Sequence, residues 1–185
     1  LLIASLAVGL VVTAKKERES APEEVRVKAA VPDSVRPIHP SNVAGLHNVY
    51  RLGEVLYTGS SPDEESSFAT LARLGIKTII SVDGAQPDVE GARAHGLRYV
   101  HLPITYGSVP HETLVGLVRA TKELQGPVYL HCHHGKHRGP ACAVALWRCL
   151  DRHVTADQAV ATMKVIGTAD KYAGLYESVR DLAYP

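Results

Sequence analysis

The stretch Val128-Tyr-Leu-His-Cys-His-His-Gly-Lys-His-Arg-Gly-Pro140 predicts a buried strand, a tight loop and the start of a helix. Within it, Cys132 and Arg138 bracket the five loop residues His133, His134, Gly135, Lys136 and His137. A loop of this length can turn its backbone N–H groups inward and bind an anion at the positive end of the following helix. We therefore predict a phosphate-binding loop formed by residues 133–138. Cys132 is its thiolate nucleophile, and Arg138 grips two phosphate oxygens.

The surrounding residues support this interpretation, because a Cys-x5-Arg spacing alone is a weak signal. Gly135 permits a strained loop backbone, and Gly139-Pro140 has the pattern of a helix cap followed by the first helical residue. A second match, Cys142 with Arg148, encloses Ala-Val-Ala-Leu-Trp, which is typical of a buried helix. We interpret that second match as core packing.

On these residues the chain resembles the cysteine-dependent tyrosine and dual-specificity phosphatases, over residues 45 to 183. The segment His131-Cys-x-x-Gly-Lys-His-Arg138 is most similar to the plant and fungal atypical members, some of which cleave inositol pyrophosphates. The resemblance implies a cysteinyl-phosphate intermediate and no cofactor. It also implies phosphorylated substrates, either phosphotyrosine, phosphoserine and phosphothreonine in proteins or inositol phosphates.

Two departures from the family pattern bear on the reaction. Gly139 stands where relatives carry the Ser or Thr whose hydroxyl assists the departing thiolate, which implies slow turnover. The segment 105–110, where relatives carry an aspartate as general acid, has no carboxylate. Asp83 and His111 are then equal candidates for the acid, with Glu112 a further one.

These departures leave two functions of other classes open. One is a catalytically weak pseudophosphatase that acts as a phosphate-binding interaction module. The other is a histidine-rich metal-binding module, because His131, His133, His134 and His137 lie close together in the sequence. A loop with its amides inward points most side chains outward, so we predict no metal and expect His131 to orient the loop.

The composition is that of a globular chain and gives no global signal of nucleic-acid binding. The chain has 185 residues, 45% hydrophobic residues and a formal net charge of +1. Positive charge is local to the loop, so a nucleic-acid partner is not expected. The three cysteines imply no disulfide framework, and the oligomeric state stays open.

Three regions are predicted along the chain. Residues 1–14 are an apolar anchor or signal segment, residues 15–40 a charged, Pro-rich tether, and residues 41–185 the phosphatase-like domain. The Lys and Arg residues after the apolar run favour a membrane anchor with the domain in the cytoplasm. Export after signal cleavage is the alternative.

The domain alternates strand and helix patterns, which predicts an α/β fold. Its central, mainly parallel sheet is expected to have four to five strands, with helices on both sides. Strands are expected at 48–52, 55–58, 76–82, 98–103 and 127–131, and helices at 61–74, 87–95, 111–124, 140–152, 155 onward and 171–182. Ser61 is the expected N-cap of the first helix, with Glu64 as its capping-box partner. Because ligands bind at the carboxyl ends of parallel strands, this order places Cys132 and Asp83 together.

Overall fold

The computed structural model describes residues 30–124 and 126–185. The predicted anchor and most of the predicted tether lie outside these residues, so membrane attachment and location stay predictions. Within the described residues, no helix has both the length and the apolar character needed to cross a membrane.

The sheet has six strands in the order β1-β2-β3-β6-β4-β5. The strands are β1 Val35–Pro37, β2 Tyr50–Leu52, β3 Leu56–Gly59, β4 Thr78–Ser81, β5 Arg98–His101 and β6 Val128–His131. Strands β3, β6, β4 and β5 are parallel, whereas β1, β2 and β3 are antiparallel. The mainly parallel α/β class is therefore confirmed, but the prediction of four to five strands is one short. The missed strand is β1, which lies in the stretch predicted to be a tether.

Helices cover both faces of the sheet. They are α1 Glu65–Arg73, α2 Val89–Ala94, α3 His111–Glu123, α4 Arg138–Leu150, α5 Ala156–Ile166 and α6 Ala173–Arg180. Alternate strand residues supply two cores: Ile80 and Leu130 pack with α3 to α6, whereas Ile79 and Tyr129 pack with α1 and α2. Burial on both faces explains the continuous apolar runs of β4 and β6.

Helix α1 begins later than predicted. Its N-cap is Glu64, whose backbone N–H donates to Ser67 Oγ at 3.1 Å. The expected N-cap, Ser61, donates its backbone N–H to the carbonyl of His133 at 3.0 Å instead. Ser61 is thus used to hold the Cys132 loop, and the helix starts only after that contact.

Candidate active site

The Cys132 loop lies at the carboxyl ends of the parallel strands. His131, the last residue of β6, is aligned with Gly59 of β3 and Ser81 of β4. The segments that follow β3, β4 and β6 therefore meet at one edge of the sheet, as the order of elements predicted. Cys132, at the start of the loop, is 4% exposed.

Three carbonyl groups of the loop are held by donors from outside it. Ser61 N–H donates to His133 O at 3.0 Å, the Asn48 side-chain amide to His134 O at 2.9 Å, and the Thr168 hydroxyl to Lys136 O at 2.7 Å. Within the part of the chain that the structure describes, the N–H groups of residues 134–138 donate to no protein acceptor. With the carbonyls directed outward, these donors are left for an external anion.

Gly135 is required by this loop for two reasons. Its φ is +67°, in the left-handed region, and a Cβ there would lie 2.3 Å from the Gly59 carbonyl carbon and 2.5 Å from Ser60 N. Any side chain would push the loop away from the end of β3. The sequence-based expectation for Gly135 agrees with this geometry.

Helix α4 begins at Arg138, with His137 at the N-cap position. The prediction of Gly139 as cap and Pro140 as first helical residue is therefore wrong. Proline is tolerated in the first turn because the first N–H groups of a helix have no intrahelical acceptor. A Cβ on Gly139 would lie 2.9 Å from Cys132 N and 3.4 Å from Cys132 Sγ, so close packing behind the sulfur explains why this position carries glycine.

Arg138 is buried, with one edge of its guanidinium paired. Nη2 donates to Asp83 Oδ2 at 3.1 Å, and the residue is 8% exposed. Its Nε is buried and has no hydrogen-bond partner among the described residues. A buried donor without an acceptor is costly, which makes Nε a natural donor to a bound oxyanion.

Asp83 accepts hydrogen bonds rather than standing ready to donate a proton. Besides Arg138, the backbone N–H groups of His133 and Ala85 donate to its carboxylate. Burial raises the pKa of Asp83, but the Ala85 N–H, the Arg138 charge and the His133 N–H outweigh it, so the pKa lies below its usual value. An ionised carboxylate is suited to hold Arg138, and poorly suited to act as general acid.

The other candidate acid, His111, is the first residue of α3 and is exposed. Within the described residues, no hydrogen bond, ion pair or ring contact joins it to the Cys132 loop. Glu112 is likewise exposed. The structure thus brings Asp83, but neither of these two residues, into contact with the loop.

The four histidines of the motif point in different directions. His131 is buried against Tyr99, whose hydroxyl lies 2.6 Å from His131 Nε2, and burial lowers the pKa of His131 to about 4. His133 and His134 are exposed and pack edge to face, whereas His137 Nδ1 accepts from Ala169 N–H at 3.3 Å. In residues 30–124 and 126–185, no group of three or more His, Cys, Asp or Glu side chains is arranged to hold a metal ion.

The remaining cysteines belong to the packing of α4. Cys142 is fully buried, and burial raises the pKa of its thiol. Burial likewise raises the pKa of Cys149. The interpretation of the Cys142 and Arg148 spacing as core packing is confirmed.

A cavity of 370 Å³ opens beside the loop. It has both positive and negative side chains on its walls. The lining residues are Gly45, His47, Asn48, Ser60, Ser61, Asp63, Glu64, His133, His134 and Lys136.

Sequence reasoning missed the residues that hold the loop from a distance. Asn48 has a φ of 52°, a conformation that asparagine tolerates better than most residues, and this hairpin position gave no direct signal of its contact with His134. Thr168 lies in the connection between α5 and α6, more than thirty residues from Lys136. Such contacts depend on the fold rather than on local pattern.

Known proteins match this chain in sequence and in fold. A family model described as DSP-PTPase phosphatase fused to NAD+ kinase matches residues 36–177. The dual specificity protein phosphatase TpbA of Pseudomonas aeruginosa strain UCBPP-PA14 is 32% identical over 93 residues, covering 49% of this chain and 42% of that protein. The matched stretch is thus less than half the length of that relative.

Two solved structures show the extent of the likeness in fold. The crystal structure of P. aeruginosa TpbA superposes with a TM-score of 0.67 at 25% identity, covering 82% of this chain and 92% of that one. The core catalytic domain of the PP-IP phosphatase SIW14 from S. cerevisiae gives a TM-score of 0.63 at 15% identity, covering 74% and 86%. At 15% identity the likeness to SIW14 concerns the fold alone.

We predict that Gly135→Ala collapses the loop, because the new Cβ meets the β3 backbone. Orthovanadate affinity, measured by calorimetry, should fall by about a hundred-fold, as expected when binding groups are displaced by an ångström. Gly75→Ala is the matched control, because Gly75 also has a positive φ, of +80°, with open space around it. That variant should lose about 1–2 kcal/mol of stability and keep its orthovanadate affinity. Equal affinities for the two variants would contradict the assigned loop geometry.

Proposed function

Because the chain belongs to the family of DSP-PTPase phosphatases described as fused to NAD+ kinase, we propose that it hydrolyses phosphate esters with Cys132 as nucleophile. The observation that carries this proposal is the loop itself. Its carbonyls are held outward by three donors, and Arg138 offers an unpaired, buried Nε beside it. The named relative TpbA is a dual specificity protein phosphatase, which supports the same chemistry.

The proposed reaction has two steps. The Cys132 thiolate attacks phosphorus, an S–P bond forms, and the bond from phosphorus to the leaving oxygen breaks. The inward N–H groups and Arg138 hold the nonbridging oxygens, whose contacts strengthen as the transferred group flattens. A water molecule then attacks phosphorus, so that inorganic phosphate leaves and the thiolate is restored.

We propose that Asp83 holds Arg138 and leaves proton donation to other groups. Its carboxylate is bonded to Nη2 and to the N–H of His133, and these contacts keep it ionised. His111 also lacks a contact with the loop in the described part of the chain. Leaving groups that need little protonation are therefore favoured, namely phenols such as tyrosine and phosphate itself in a phosphoanhydride. Alkyl esters such as phosphoserine should react slowly.

One specific observation favours a second candidate, the pseudophosphatase that binds phosphorylated partners without turnover. Gly139 lacks a hydroxyl to assist the departing thiolate, and a Cβ at this position would already crowd Cys132 N at 2.9 Å. Both candidates need the same loop to bind phosphate. They differ in whether phosphate is released.

We predict that the protein hydrolyses para-nitrophenyl phosphate and that orthovanadate inhibits it. Cys132→Ser should abolish phosphate release, because a neutral hydroxyl is a far weaker nucleophile at this position. The matched control is Cys149→Ser, a cysteine on α4 outside the loop, which should keep its activity. Orthovanadate binding without any turnover by the native chain would contradict the enzyme and favour the interaction module.

We also predict a steep dependence on the leaving group. An enzyme with a positioned general acid loses some kcat/KM when para-nitrophenyl phosphate is replaced by an alkyl phosphate. For this protein the loss should be larger by about a hundred- to ten-thousand-fold. Asp83→Asn should lower kcat/KM for both substrates by a similar factor, since it weakens the hold on Arg138. If Asp83→Asn instead slows only the alkyl ester, Asp83 is the general acid and our assignment of its role is wrong.

A further inference from the structure

The ring of Tyr106 lies over the guanidinium of Arg138. The distance from Arg138 Cζ to the ring centroid is 4.4 Å. On Tyr106 stacks Tyr172, with centroids 4.8 Å apart and planes inclined by 24°. A guanidinium over an aromatic face is stabilised by the ring quadrupole, so the three side chains form a mutually supporting stack.

The segment 105–110 that carries Tyr106 is fixed on helix α6. Gly107 approaches Gly174 so closely that a Cβ on Gly174 would lie 1.7 Å from the Gly107 carbonyl oxygen. Val109 N–H donates to Ser178 Oγ at 3.0 Å, and the same hydroxyl donates to the Gly174 carbonyl at 2.7 Å. The ring is therefore held in place from its own backbone.

Arg138 is constrained in two directions by these contacts. Asp83 holds its Nη2 edge at 3.1 Å, and Tyr106 covers a face of the same group. The buried Nε has no hydrogen-bond partner among the described residues. Because Asp83 holds one edge of the guanidinium and Tyr106 covers one face, the group has little freedom to turn. Its Nε is then available to an oxyanion.

We propose that Tyr106 is a positioning residue for the phosphatase reaction, on which this inference rests. Its ring holds Arg138 in the orientation that receives a phosphate oxygen. The segment 105–110 has no carboxylate, and here it serves to place the arginine. This role needs the ring and not the phenol hydroxyl, so we expect a phenylalanine to position Arg138 equally well.

The test compares Tyr106→Ala, Tyr106→Phe and Tyr184→Ala in the full chain. Tyr184 is the matched control, because it is 38% exposed and its ring centroid lies 3.7 Å from Cζ of Arg152, a residue of the turn that follows α4. Two readouts are needed, kcat/KM for para-nitrophenyl phosphate and the orthovanadate dissociation constant. Loss of the stack in Tyr106→Ala should weaken both by about 3- to 30-fold. Tyr106→Phe and Tyr184→Ala should match the native protein.

A second variant tests the anchoring of the segment without changing the ring. Gly174→Ala should push Gly107 off α6 and weaken orthovanadate binding in the same way as Tyr106→Ala. Thermal unfolding identifies a variant that has failed to fold, and Tyr106→Ala should still unfold cooperatively, with a midpoint lowered by a few degrees at most.

The proposal is overturned if Tyr106→Ala binds orthovanadate as the native protein does. It is also overturned if Tyr106→Phe loses as much as Tyr106→Ala, which would assign the effect to the hydroxyl. A failure of the proposed function can be distinguished from a failure of this inference. If the native chain shows no turnover but Tyr106→Ala still binds orthovanadate more weakly than the native protein and Tyr106→Phe, only the proposed function fails. That result would support the role of Tyr106 in positioning Arg138 and contradict the proposed hydrolysis.

Discussion

Three hydrogen bonds from outside the Cys132 loop fix the direction of its peptide groups. They come from the N–H of Ser61, the side chain of Asn48 and the hydroxyl of Thr168, which belong to three separate parts of the chain. Each is worth about 1 kcal/mol and opposes rotation of the peptide group whose carbonyl accepts it. The anion-binding conformation of the loop is therefore a property of the folded domain, and an isolated peptide of the same sequence would not keep that conformation.

The second constraint is the buried charge of Arg138. A guanidinium removed from water requires partners, and Asp83 supplies a charge while Tyr106 supplies a polarisable face. We propose that the same contacts also orient the arginine for an oxyanion. Since a carboxylate that stays ionised beside Arg138 is a poor proton donor, we propose a preference for substrates with weakly basic leaving groups.

Local patterns predicted the parallel strands, helix α3 and the loop, because their signals are apolar runs, periodicity and glycine positions within short windows. They failed where distant contacts decide the structure. Strand β1, Val35–Pro37, forms by pairing with Tyr50–Leu52 and has no apolar period of its own. Ser61 carries a helix-cap pattern, but its N–H is bonded to His133. The stack of Tyr106 on Arg138 joins residues thirty-two positions apart and had no sequence signal.

The proposed reaction requires Cys132 to react as a nucleophile beside backbone N–H groups that also bind a tetrahedral oxyanion. Alkylation of the native protein by iodoacetamide at neutral pH, followed by mass spectrometry, tests it most directly. We expect iodoacetamide to modify Cys132 at a higher rate than Cys142 and Cys149, and orthovanadate to slow the modification of Cys132. Modification of Cys132 no faster than that of Cys149, with no protection by orthovanadate, would contradict the account.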